Sequence, residues 1–282
     1  MVEGHDGAPP APAAEKDGFC DLLGHVTPFR EAVHPTSDGA QLAYRLRPGR
    51  DPWVLLHALA CDSTLWDDVV RALPEDVGLV IPELRGHGGS TLGWELPSVD
   101  RFAADVLEIV EAEHLTRPAV AGVSMGGYVA LAMAAARPEV ARSWAFISTH
   151  AHAEDAAGKA ARAEALSLVD RQGWEAWIEQ VGPRWVATER PLAQLKGMAG
   201  RAGDAGLAVA LLALAHRPDR KDILPRVAAP VLVVAGELDP ITPRERMQEI
   251  AEATPQGRLV VVPGASHLIP LDAPQALAAL LV

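Results

Sequence analysis

Short, continuous apolar runs recur along the chain, separated by stretches of a different period. WVLLH (53–57), VGLVIP (77–82), PAVAGV (118–123), RSWAFIS (142–148), PVLVVAG (230–236) and GRLVVVP (257–263) each have the length and β-branched content of a strand buried on both faces. Between them the pattern turns helical. In SVDRFAADVLEIVEAEH (98–114), Phe102, Val106, Ile109 and Val110 stand at i, i+4, i+7 and i+8 and share one face. A helix is also expected around LWDDVVRAL (65–73), near 244–253, and from about Pro274 to the end. GGYVALAMAAA (126–136) is apolar nearly all round, which predicts a central, buried helix. Upstream, EAVHPTSDGAQLAYRLR (31–47) reads as two short strands joined at Ser37-Asp38-Gly39.

Strands alternating with helices predict an α/β fold, a mostly parallel sheet with helices on both faces. The rhythm stops over 151–220, a stretch rich in Ala, Leu, Arg and Glu with no comparable strand run. It predicts a helical insertion, a lid, between core segments 31–150 and 221–282. Residues 1–30, rich in Ala, Pro, Gly and Asp at their start, predict a disordered tail.

Composition narrows the classes of function. With 282 residues, 49% hydrophobic and 22% charged, the chain is ordinary globular material. A net charge of −12 argues against nucleic acid or an anionic membrane as partner. No uninterrupted apolar run approaches the roughly 18 residues that span a bilayer, and the first residues lack the apolar core of a secretory signal. Cys20 and Cys61 make no disulfide framework and have no metal-ligand spacing, so a reduced, cytoplasmic protein is expected.

Gly122-Val123-Ser124-Met125-Gly126 sits where an apolar strand must become a helix. The glycines could serve close packing alone. They also suit a sharp turn that lifts the Ser124 hydroxyl above the sheet as a nucleophile, with helical N–H groups facing the same space. A nucleophile needs a base and an orienting acid. Asp239 follows the strand PVLVVAG, and His267 follows the strand GRLVVVP. The order Ser, Asp, His along the chain is that of one known arrangement on such a sheet. Glu237 is a rival for the acid, and Cys61 a weaker rival nucleophile. The N–H groups of Leu59 and Met125 are the candidate oxyanion donors.

These residues, with the segments Glu83–Ser90 (ELRGHGGS), 236–240 (GELDP) and 264–268 (GASHL), resemble those of lid-bearing α/β-hydrolases from about residue 31 to the end. HALACDSTLWDDVVRAL and GWEAWIEQVGPRW are most similar to the 3-oxoadipate enol-lactonase group and its esterase and cofactor-free haloperoxidase relatives. The resemblance implies Ser124 as nucleophile, His267 as base, Asp239 as acid, no cofactor and a small ester or lactone substrate. Two positions depart from the usual pattern: Ala58 follows His57 where glycine is common, and Glu83 stands where aspartate is common. The same site could support perhydrolysis, thioester or C–C hydrolysis, or only ligand binding. Trp174, Trp177 and Arg184 are candidate substrate contacts in the insertion. His150, His152 and Asp155 form too incomplete a set for a zinc site, and RGHGGS lacks the lysine of a nucleotide loop.

Overall fold

The structure, a computed structural model, describes residues 28–282. Cys20 and the expected tail up to residue 27 lie outside the described residues. Among the described residues eight strands form one sheet: β1 (Arg30–Pro35), β2 (Gln41–Arg47), β3 (Arg50–Leu56), β4 (Val77–Pro82), β5 (Ala119–Val123), β6 (Ser143–Ile147), β7 (Val231–Gly236) and β8 (Gly257–Val262). Their order across the sheet is β1-β2-β4-β3-β5-β6-β7-β8. The hairpin β1–β2 adds to β4 antiparallel, and all other pairs are parallel. β3 starts three residues before its apolar run. Arg50 donates its N–H to Asp76 O (2.8 Å) and pairs with Val77, and the register shifts before Trp53.

The helices α1 (Asp67–Ala72), α2 (Val99–Ala112), α3 (Met125–Ala136) and α6 (Arg244–Ala253) fall where the periodicity placed them. α7 (Ile269–Asp272) and α8 (Pro274–Leu281) close the chain. From β3 the chain steps one way to β4 and then back across β3 to β5. Right-handed connections in opposite directions place their helices on opposite faces. Accordingly α1 packs with α8, while α2 packs with α3. The loops after β3 and β5 begin side by side at this reversal, because Leu56 pairs with Gly122. Such a reversal is where an open α/β sheet leaves a crevice. The loop after β4 is anchored by Arg85, whose buried guanidinium bonds Asp38 of the hairpin turn (2.6 Å) and Asp105 of α2 (2.7 Å).

Between β6 and β7 lies the helical insertion, chiefly α4 (Ala156–Val181) and α5 (Glu189–Ala215). Each breaks once at a glycine of positive φ, Gly173 (φ 82°) and Gly203 (φ 60°). The breaks are bonded to each other, for Trp174 N–H donates to Asp204 Oδ1 (2.7 Å). The insertion leaves and rejoins the core through a narrow neck, where Arg220 N–H donates to Ala151 O (2.7 Å) and Arg217 pairs with Glu154 (2.5 Å). By length and composition α5 would suffice to cross a membrane, which reading run by run overlooks; more than half of that window is buried inside the protein. Two contacts seat α5 on the core. Gly206 lies against the Gly86 carbonyl so closely that a Cβ would overlap it. Arg201 Nε donates to the buried Asp62 (2.6 Å), and its Nη2 donates to Thr64 Oγ1 (2.9 Å).

Candidate active site

Ser124 stands alone between β5 and α3 with φ 52° and ψ −109°, a conformation costly for a residue with a side chain. Glycine at three neighbouring positions makes the turn possible. A Cβ on Gly122 would strike the Gly126 carbonyl, one on Gly126 the Leu56 carbonyl, and one on Gly127 the Thr149 side chain. Ser124 N–H donates to Ile147 O (2.9 Å), and Thr149 Oγ1 donates to Ser124 O (3.1 Å). The serine backbone is therefore fixed from β6, and its side chain is left to face the crevice.

His267 Nε2 lies 2.9 Å from Ser124 Oγ, and its Nδ1 lies 2.9 Å from Asp239 Oδ2. Asp239 can only accept at that contact, so Nδ1 carries the proton and Nε2 is free to accept the serine hydroxyl. The loops holding the two partners start together, since Leu238 N–H donates to Ala265 O (2.9 Å). Asp239 Oδ1 takes the N–H groups of Ile241 (2.8 Å) and Thr242 (3.1 Å). Burial alone would raise the Asp239 carboxyl. The electrostatic pull and hydrogen bond of the His267 ring N–H, with the bonds from Ile241 and Thr242, outweigh it and hold the group below its ordinary range, ionised.

The rival acid, Glu237, is exposed and accepts the Gly264 N–H (2.8 Å) instead. The rival nucleophile is equally ill placed. Cys61 is fully buried, and burial pushes its thiol far up, so it stays protonated.

Beside Ser124, the chain leaving β3 makes a turn closed by Cys61 N–H on Ala58 O (3.1 Å), with Ala60 at φ 62°. Such a turn leaves the N–H of its second residue, Leu59, without a partner in the turn. Met125 begins α3, so its N–H likewise has no intrahelical acceptor. His57 shapes this turn: Nδ1–H donates to Ala58 O (2.8 Å), while Nε2 accepts Leu84 N–H (2.8 Å). Glu83, the other departure from the usual pattern, holds its loop by accepting from Ser63 Oγ (2.8 Å) and Gly89 N–H.

The insertion contributes differently from the sequence expectation. Trp185 lies beside His267, its ring 6.2 Å from the imidazole between centroids. Trp177 is buried behind it, edge-on at 5.5 Å. Trp174 packs against Gly200 within the insertion, and Arg184 is exposed, offering only its carbonyl to Ser266 Oγ (3.4 Å). The signal for Trp185 was the preceding Gly182-Pro183, which ends α4 and turns the chain back to the core. His150 and His152 stack edge to face at 5.7 Å, and Asp155 caps α4 through the Gly158 N–H (2.8 Å).

The sequence profile of the alpha/beta hydrolase family matches residues 53–280. The chain belongs to that family. The hydrolase is 31% identical to 3-oxoadipate enol-lactonase 1 of Acinetobacter baylyi, over 79% of this chain and 84% of that protein. It is 29% identical to a pimeloyl-[acyl-carrier protein] methyl ester esterase of Chromobacterium violaceum, over 76% and 86%. Among solved structures, a thermophilic esterase from Thermogutta terrifontis superposes on the hydrolase with a TM-score of 0.83 at 28% identity, covering 89% of this chain and 96% of the esterase.

Proposed function

We propose that this hydrolase cleaves carboxylic esters or lactones through an acyl-enzyme on Ser124. The observation that carries the reading is the continuous hydrogen-bonded relay from Asp239 through His267 to a serine hydroxyl on a strained turn. Ser124 Oγ attacks the carbonyl carbon as its proton passes to His267 Nε2. Asp239 fixes the tautomer and stabilises the imidazolium. The N–H groups of Leu59 and Met125 converge on the developing oxyanion, each such donor contributing about 3 kcal/mol. The C–O bond then breaks, and the alkoxide leaves with the His267 proton. Water, deprotonated by His267, attacks the acyl-enzyme, and the acid departs as Ser124 regains its proton. No step calls on a metal or cofactor.

The enol-lactonase and ester hydrolase relatives support this substrate class. Residues 151–220 act as the lid, and Trp185 gives it an apolar wall next to His267. The buried free thiol of Cys61 suits the cytoplasmic setting expected from cysteine usage.

The test compares wild type with Ser124→Ala on p-nitrophenyl esters of increasing acyl length, and measures intact mass after fluorophosphonate treatment. The expected outcome is one adduct, at Ser124, and turnover lost by at least about 10³-fold in the variant. A folded protein with neither label nor serine-dependent turnover, yet tight ligand binding, would replace this reading with a binding protein on the same fold.

A further inference from the structure

His267 sits in a loop held from both sides. Ser266 donates its N–H to Asp272 Oδ2 (2.8 Å), and Leu268 donates its N–H to Trp185 O (2.9 Å). The second oxygen of Asp272, Oδ1, accepts the N–H of Ala187 (2.9 Å). Ala187 and Trp185 both belong to the short connector between α4 and α5. A single carboxylate thus bridges the loop of the proposed base and the helical insertion. Neither N–H donor belongs to its own helix, so Asp272 is committed to that bridge.

We propose that Asp272 is a positioning residue for His267, coupling the orientation of the imidazole to the seating of the insertion. This rests on the reading of Ser124, His267 and Asp239 as the reacting relay. Two oxygens are needed because both partners are N–H donors. An amide offers one oxygen and one NH₂, so Asp272→Asn must set two donors against each other at one end. Asp272→Glu keeps both acceptors on a stem one methylene longer. Burial raises the Asp272 carboxyl above its ordinary range, and the two N–H bonds oppose that rise without cancelling it. Motion of the connector would also carry the Trp185 ring, so the loop and the aromatic wall shift together.

The full chain is assayed on p-nitrophenyl butyrate as wild type, Asp272→Asn, Asp272→Glu and Ser124→Ala, each with a thermal unfolding curve. The low-field proton resonance of His267 Nδ1–H is recorded alongside. The expected result for Asp272→Asn is a tenfold or greater loss in kcat with KM within threefold of wild type. Its low-field resonance should shift or broaden, and Asp272→Glu should recover most of kcat. Ala187→Pro, which deletes the insertion-side donor but leaves the carboxylate, should show the same pattern more weakly. It decides the matter if Asp272→Asn does not fold. Wild-type kcat and an unchanged resonance in the folded Asp272→Asn, or in Ala187→Pro standing in for it, overturn the proposal. If Ser124→Ala retains turnover, the relay itself fails, a separate outcome from a silent Asp272.

Discussion

Acid should weaken this protein through buried imidazoles, and His87 is the one whose share can be isolated. Burial, with the neighbouring His57 second, pushes His87 down to about 3, and burial pushes His57 down to about 4. The rings lie 5.1 Å apart. His57 has no place for another proton, since its Nε2 already accepts Leu84 N–H. His87 Nδ1 lies 3.2 Å from Arg85 O, and its Nε2 is buried with no partner among the described residues. In the unfolded chain each would titrate near 6.5. The folded value is the lower one, so the stability contribution is complete above about pH 6.5 and is lost as the pH falls toward the folded value. Around pH 5 each such imidazole removes about 1.4 kcal/mol per pH unit. From pH 7.5 to pH 5, His87 alone should forfeit about 2 kcal/mol, against a typical total of about 5–15. His87→Leu removes that titration and leaves the other groups in place. Urea unfolding followed by tryptophan fluorescence at pH 7.5, 6 and 5 measures the difference. The variant should gain about 2 kcal/mol on wild type over that range. A difference that stays constant with pH would refute the claim that folding keeps His87 neutral.

Two further changes probe how the insertion is seated. Gly206→Ala places a methyl group into the Gly86 carbonyl and should lift α5 from the loop after β4. Its expected signature is faster protease nicking within 151–220 and a loss of about 1–3 kcal/mol in urea unfolding. Burial alone would raise the Asp62 carboxyl, but the Arg201 and Thr64 hydrogen bonds reverse that and hold it below its ordinary range. Arg201→Met strands this buried charge, so activity should fall more steeply than in wild type as the pH drops below 6, measured as kcat/KM on p-nitrophenyl butyrate. Parallel pH profiles would show that the Asp62–Arg201 pair does not support activity through the loop after β3.

The frame of the site was legible because its chemistry is local. The turn at Ser124 needs small neighbours within five residues, and Asp239 and His267 each follow a strand that announces itself by apolar content. α6 matches its expected span for the same reason. The rest of the site depends on contacts distant in sequence. Trp185 and Trp177 are both tryptophans of one insertion, and periodicity cannot tell a ring facing His267 from one packed behind it. Asp272 looks like an ordinary acidic residue between two apolar ones until Ala187, 85 positions away, donates to it. His57 reads as the end of a strand, and only the Leu84 N–H reveals it as the peg between two loops.

The neck of the insertion has an evolutionary consequence. Because Ala151 and Arg220 are already joined by a backbone hydrogen bond, the core sees the intervening residues as one hairpin, whatever its length. A segment so attached can be exchanged as a cassette without redrawing the sheet. The contacts it must reproduce are few: a partner for Asp62, a close approach to the Gly86 carbonyl, an acceptor for Leu268 N–H and an N–H for Asp272. A transplanted segment that makes these contacts should fold onto an unchanged sheet.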